Sequence, residues 1–220
     1  MEFQPMSLSL VIGNKNYSSW SLRPWLFLKY HDFDFTEIRI PLYREDSKDK
    51  LLQYSPTGKV PVLLDGELKV WDSLAILEYL AERFPQTQGW PDDFAERAVA
   101  RALAAEMHSG FTALRTYCGM NCKRTPSAKP LPEAVHPDIE RIGEIWQQCL
   151  QRHCHDGPWL FGRFTIVDAM FAPVAIRFHS YQLETNKEAQ AYVDRVLACP
   201  AVNAWIEAGK LESEVITAFE

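Results

Sequence analysis

The stretch NKNYSSWSLRPWL, residues 14–26, sets Ser18, Ser19 and Ser21 directly ahead of an apolar run. The preceding LSLVIG is strand-like, and the residues from Ser21 to His31 have helical spacing, so the first two serines stand where a strand hands over to a helix. Unpaired backbone N–H groups and the positive end of the helix dipole favour an anion there. One hydroxyl suffices as a cap; another is spare to donate a hydrogen bond to whatever anion binds. Capping alone explains the same residues, with Ser19 the alternative to Ser18 and Ser21 a further helix-start hydroxyl. Two other places have similar chemistry. In KVPVL, Pro61 enters a strand that must be internal to a small sheet, where a proline implies a special backbone such as a cis bond, leaving the Val60 N–H and C=O facing a ligand. Asp72-Ser73 opens the apolar run SLAILEYLAERF, so Ser73 offers a hydroxyl and an N–H to a carboxylate at a second helix start. An edge-strand proline and an ordinary cap are the plainer alternatives.

The elements that must position these groups follow from periodicity. FDFTEIRI alternates as a strand does, Asp46 to Tyr54 is a short helix, and KVPVLLDGELKVW is two strands around the Asp65-Gly66 turn signal. The order β-α-β-α-β-β-α is complete by Phe84. PQTQGWPDD then has a linker's composition, and everything beyond it reads as helix: Asp93 to Tyr117, His136 to His155, Val167 to Leu183, Lys187 to Ala198 and Ala201 to Ala208. The fold class is therefore an α/β unit over residues 6–84, a linker over 85–91 and an all-α unit over 92–220. Met107, Phe111 and Tyr117 are core candidates.

Composition narrows the function. With 47% hydrophobic and 12% aromatic residues in 220, the chain fills a core. A net charge of −6 without a basic run argues against nucleic acid or an anionic membrane as partner. No signal-peptide pattern or membrane-spanning run is present, so a cytoplasmic protein is expected; Met6 would serve as a start as well as Met1, leaving Met1 to Pro5 open. The five cysteines, Cys118, Cys122, Cys149, Cys154 and Cys199, read as reduced thiols, and their spacing gives no metal site.

Taken in order, YSSWSLRPWL, SPTGKVPVLLDGELKVWDSLAILEYLAERFP and WLFGRFTIVDAMFAPV resemble the glutathione transferase family, over nearly the whole chain and closest to serine-type, zeta-like members. The resemblance implies a thioredoxin-like first domain, an all-helical second domain that forms the electrophile pocket, and a homodimer. It implies that Ser18 hydrogen-bonds the glutathione sulfur, that Lys59, Val60 and Pro61 border the peptide, and that Asp72 and Ser73 hold its γ-glutamyl end. Thr165-Ile-Val-Asp168 looks like the family's buried capping box, structural and not catalytic. For the second substrate the resemblance points to Trp20, His108, Arg115 and Arg177. Arg23 matches an arginine common in zeta-like members, which implies that it orients the loop or adds positive potential; a surface ion pair is the plainer alternative. The expected activity is transfer of glutathione to a small electrophile. One alternative is glutathione-dependent cis-trans isomerisation of maleylacetoacetate-type or maleylpyruvate-type diacids; another is a non-catalytic binding protein. Two departures weaken the isomerase reading: Trp20 replaces a cysteine or small residue, and Ser180 stands where a carboxylate-binding arginine is usual, with Arg177 one turn earlier. A cationic pocket around Arg115 and Arg177 would separate the readings.

Overall fold

A computed structural model describes residues 8–219. The expected start at Met6, and Met1 to Pro5, lie outside them. The first unit runs β1 (Leu8–Ile12), α1 (Ser19–Tyr30), β2 (Phe35–Arg39), α2 (Ser47–Leu52), β3 (Val62–Asp65), β4 (Leu68–Trp71) and α3 (Ser73–Arg83). The sheet order is β2-β1-β3-β4, with β1 and β2 parallel and the other pairs antiparallel. Because β1 and β3 are internal and covered on both faces, they are apolar without alternation: Leu8, Leu10, Val11, Ile12, Val62 and Leu63 are all buried. Gly66 turns the β3–β4 hairpin at φ +60°, in open space, so the backbone and not crowding selects glycine.

The helical unit comprises α4 (Phe94–Ser109), α5 (Thr112–Tyr117), α6 (His136–Arg152), α7 (Ile166–Tyr181), α8 (Lys187–Ala198) and α9 (Pro200–Lys210). α7 is buried along almost its whole length because α1, α4 and α8 all pack on it. α1 is likewise covered by α7, α3 and α9, which is why neither helix shows an amphipathic stripe. One continuous core therefore runs from the sheet through α1 into α7.

The single long helix expected over residues 93–117 is two. Gly110 is extended, a Cβ there would meet the Glu106 carbonyl oxygen at 2.7 Å, and Phe111 follows at φ +53°. The break is stabilised from elsewhere, since Asp138 of α6 accepts the Leu114 N–H at 2.9 Å near the start of α5. Tyr117, expected in the core, is on the surface, while Met107 and Phe111 are buried. The linker composition after Phe84 conceals a pinned segment. The Gly89 carbonyl accepts the Ile166 N–H, Trp90 is buried, and Arg163 donates to the Gln88 and Trp90 carbonyls. Among the described residues no helix is long and apolar enough to cross a membrane.

Candidate functional site

Ser18 is the N-cap of α1. Its Oγ accepts the Ser21 N–H at 3.3 Å and donates to Ser21 Oγ at 2.8 Å. The turn that presents it is tied down from three remote segments. Asn14 folds the turn by accepting the Tyr17 and Ser18 N–H groups on its carbonyl, and its Oδ1 accepts the Leu42 N–H. Asn16 Oδ1 takes the Lys123 N–H, and the Glu212 carboxylate accepts the Lys15 N–H at 2.8 Å and the Asn16 N–H at 3.1 Å. A polar turn carrying this many buried amides keeps its shape only with such partners.

Ser18 opens onto a cavity of about 730 Å³. Ser19, Trp20, Lys59 and Val60 border it from the first unit, and Arg115 and Arg177 from the helices. Arg177 is buried; its Nε donates to the Cys118 carbonyl at 2.8 Å, and its Nη1 has no partner among the described residues. Burial, then the neighbouring Arg115, lowers its pKa to about 10, so it is still charged at neutral pH. Arg115, lowered mainly by burial, lies over the Trp20 ring at 5.4 Å. Arg23 is wholly buried, stacks on Trp20 at 4.1 Å, donates from Nε to the Met170 carbonyl and has no partner for its two terminal nitrogens among the described residues. Burial, then Arg177, pushes its pKa well down. Arg23 and Arg115 thus share one indole, and Arg177 is close enough to both for the three charges to repel, a set that an entering anion would stabilise. Ser180 is buried with its carbonyl bonded to the Ser127 N–H, and is not among the residues bordering the cavity.

A second cavity, of about 420 Å³, adjoins the first through Trp20, Lys59 and Val60. Pro61, Asp72, Ser73 and His108 border it. The Val60–Pro61 peptide is cis. Asp72 sits at φ +76°, an uncommon conformation for a residue with a side chain. Its Oδ1 accepts the Leu74 and Ala75 N–H groups, capping α3, and its Oδ2 lies 3.1 Å from His108 Nε2. Ser73 Oγ is buried with no partner among the described residues, an unmet hydroxyl at a helix start. An unmet hydroxyl and a carboxylate thus stand side by side, able to donate to an anion and to accept from a cation. His108, read with the second-substrate residues, is placed here beside Asp72 and not in the larger cavity. The aromatic and basic wall of the larger cavity, including Tyr43, Arg44, Lys48 and Phe219, has no signal in the sequence.

Burial pushes the Cys122 and Cys149 thiols up to about 12 and also raises Cys118, so these are poor nucleophiles. Among the described residues no three His, Cys, Asp or Glu side chains are placed to hold a metal.

Comparison with known proteins bears on the family and the fold. The chain is 38% identical over 97 residues to a probable maleylacetoacetate isomerase of Caenorhabditis elegans, a match covering 44% of this chain and 44% of that protein. It is 30% identical over 155 residues to a zeta-class glutathione S-transferase of Euphorbia esula, covering 70% of this chain and 63% of the relative. The chain thus spans under two thirds of the length of these relatives. A solved glutathione transferase homologue from Burkholderia with bound glutathione superposes with a TM-score of 0.71 at 25% identity, covering 93% of this chain and 98% of that one. Residues 17–83 match the family model of the glutathione S-transferase N-terminal domain and residues 95–208 that of the C-terminal domain; the chain belongs to the glutathione S-transferase family.

Proposed function

We propose that the chain binds glutathione across the two cavities, with the γ-glutamyl end at Asp72 and Ser73 and the thiol at Ser18, and uses the thiolate on a small electrophile that carries carboxylate groups. The observation behind this reading is that Ser18, at a helix N-terminus, shares one cavity with Arg115 and Arg177. A free thiol with a pKa of about 8.5 is only a few per cent thiolate at neutral pH, and lowering that pKa by about two units needs roughly 2.7 kcal/mol. A hydrogen bond to an anion contributes about 1.5–3 kcal/mol and a helix start about 0.3–1 kcal/mol, enough without a general base. Lys59 and Val60, at the junction of the cavities, would flank the peptide between its two ends.

The arginines favour isomerisation of a cis-unsaturated diacid over simple transfer to an uncharged electrophile. In that reaction the thiolate adds to the conjugated double bond and the π electrons move onto the carbonyl oxygen. The new single bond rotates, and the electrons return as the C–S bond breaks, regenerating the thiolate with no net consumption of glutathione. Guanidiniums hold the carboxylates and the enolate charge. Arg115→Ala is expected to raise KM for an unsaturated dicarboxylate about tenfold or more while changing kcat/KM for an uncharged chloronitrobenzene less than about threefold. Steady-state kinetics with both substrates decides it: equal effects on the two would remove the carboxylate site, and failure to turn over either, with no glutathione binding by calorimetry, would leave a binding protein.

The same reading makes the protein a cytoplasmic homodimer. Trp71 and Leu68 on β4, with Phe94 and Val99 on α4, are large apolar side chains left exposed in the monomer, Phe94 the most at 78%. Phe94→Glu is expected to shift sedimentation from dimer toward monomer at micromolar concentration, and an unchanged dimer would place the interface elsewhere.

A further inference from the structure

We propose that Ser21 is a positioning residue for Ser18: its buried hydroxyl, which accepts the Ser18 proton in the structure, exchanges roles and donates to Ser18 Oγ when Ser18 turns its own proton toward a bound thiolate. This rests on the glutathione-binding reading above but assigns a residue that reading does not use.

The argument is one of hydrogen-bond accounting. Ser21 has no exposed surface, and among the described residues its Oγ has two hydrogen-bond partners: the Gly13 N–H, which it accepts at 3.1 Å, and the Ser18 hydroxyl at 2.8 Å. A hydroxyl has one proton and two lone pairs. The two partners occupy the lone pairs, so the Ser21 proton has no third group to reach. Once Ser18 points its proton at an anion, the 2.8 Å contact persists with the direction reversed, and the Ser21 proton gains the acceptor it lacked. The chain Gly13 N–H to Ser21 O–H to Ser18 O–H to anion then points one way, an alignment in which each bond strengthens the next. Only hydroxyl protons move. Ser18 goes on accepting the Ser21 N–H at 3.3 Å, so the helix cap is not spent in the change. A Cβ on Gly13 would lie 2.5 Å from Leu42 Cδ1 in the loop after β2, so a larger residue at the donor position would have to displace that side chain.

A purely structural Ser21 would tie the end of β1 to α1 and do nothing else, and the ionisation of bound glutathione separates the two roles. The experiment follows ultraviolet thiolate absorbance of the saturated protein against pH in the wild type, Ser18→Ala, Ser21→Ala, the nearly isosteric Ser21→Cys, and the double variant, with thermal unfolding and glutathione calorimetry on each. Ser21→Ala is expected to raise the bound thiol's pKa by about 0.5–1, a three- to tenfold loss of thiolate at fixed pH, with Kd for glutathione changed less than about twofold. Ser21→Cys, a weak donor of similar volume, is expected to fall between, and decides the matter if the alanine variant does not fold. The double variant should match Ser18→Ala, because Ser21 acts only through Ser18. A thiol pKa within about 0.2 of wild type in both folded Ser21 variants, or an additive double variant, overturns the proposal while Ser18 keeps its role. A wild-type pKa shared by Ser18→Ala removes the role of Ser18 itself.

Discussion

Replacing Ser18 with alanine is expected to raise the pKa of bound glutathione by about 1–2 and to lower kcat/KM at pH 7 by about 10–100-fold, while Kd for glutathione changes less than about threefold. The asymmetry follows from where the hydroxyl sits. Ser18 borders the cavity at the positive end of α1, whereas groups that fit the peptide's amine and carboxylate, Asp72 and Ser73, lie in the adjoining cavity on another helix. Loss of the hydroxyl removes stabilisation from the thiolate and leaves most of the binding surface intact. It also removes the N-cap, at about 1 kcal/mol of stability, so activity must be measured on protein shown to be folded. The pH profile carries the sign: a thiol ionising below its free value gives a rate plateau at lower pH in the wild type, and the variant's rising limb shifts toward the free value near 8.5. Ser19→Ala is the internal control. Ser19 borders the same cavity, and if it and not Ser18 moves the profile, the thiol lies one residue along.

How much of this was legible in the sequence differs by residue and for physical reasons. The order of strands and helices in the first unit is readable because buried inner strands, a DG turn and an Asp-Ser cap each leave a local signature, as at Val62–Asp65, Gly66 and Asp72. The same locality explains the misreadings. The helix break at Gly110–Phe111 is stabilised by Asp138, 24 residues away from the amide it accepts, and an Ala-rich run bordering it looks continuous. The polar PQTQGWPDD reads as loose because nothing in it announces that Ile166 and Arg163 will bond its carbonyls. In the site, Ser18 and Ser73 were readable from helix-start chemistry, whereas Arg177 came from the family resemblance, one turn before the position where relatives carry an arginine. That Arg23 and Arg115 share Trp20 and that Arg177 lies near both depends on residues of three different helices meeting in space, which no spacing within one helix encodes. The partnership of Ser21 with Gly13 is of the same kind: three serines in four positions show that hydroxyls are abundant, and only the fold shows which one lies behind which.

The largest loss of stability is expected at Asp168, which contributes nothing to the cavity. Thr165 and Asp168 form a reciprocal capping box at the start of α7, the helix on which α1, α4 and α8 pack. The carboxylate is wholly buried and receives four donors: the Thr165 N–H at 2.8 Å and hydroxyl at 3.1 Å, the Leu160 N–H at 3.1 Å and the Tyr192 hydroxyl at 3.0 Å. Asp168→Ala strands all four in the core, for a loss of about 3–5 kcal/mol in chemical denaturation, which for a chain of this size lowers Tm by about 10 °C or more. Asp168→Asn keeps the volume but turns an NH₂ toward donors, and is expected to recover less than half of the loss. The pH dependence provides a second, independent check. Burial raises the Asp168 pKa to about 6 against the opposing pull of its hydrogen bonds, so the folded state holds a proton that the unfolded chain, with a pKa near 3.9, releases. Stability from that difference is fully present below the unfolded value and is lost as pH rises through 6; between pH 5 and pH 7 it amounts to about 1.3 kcal/mol. The wild type should therefore exceed Asp168→Ala by about 1 kcal/mol more at pH 5 than at pH 7. A constant gap would mean that the four donors hold the carboxylate ionised throughout, and a gap that widens toward pH 7 would reverse the sign of the burial effect assigned to it.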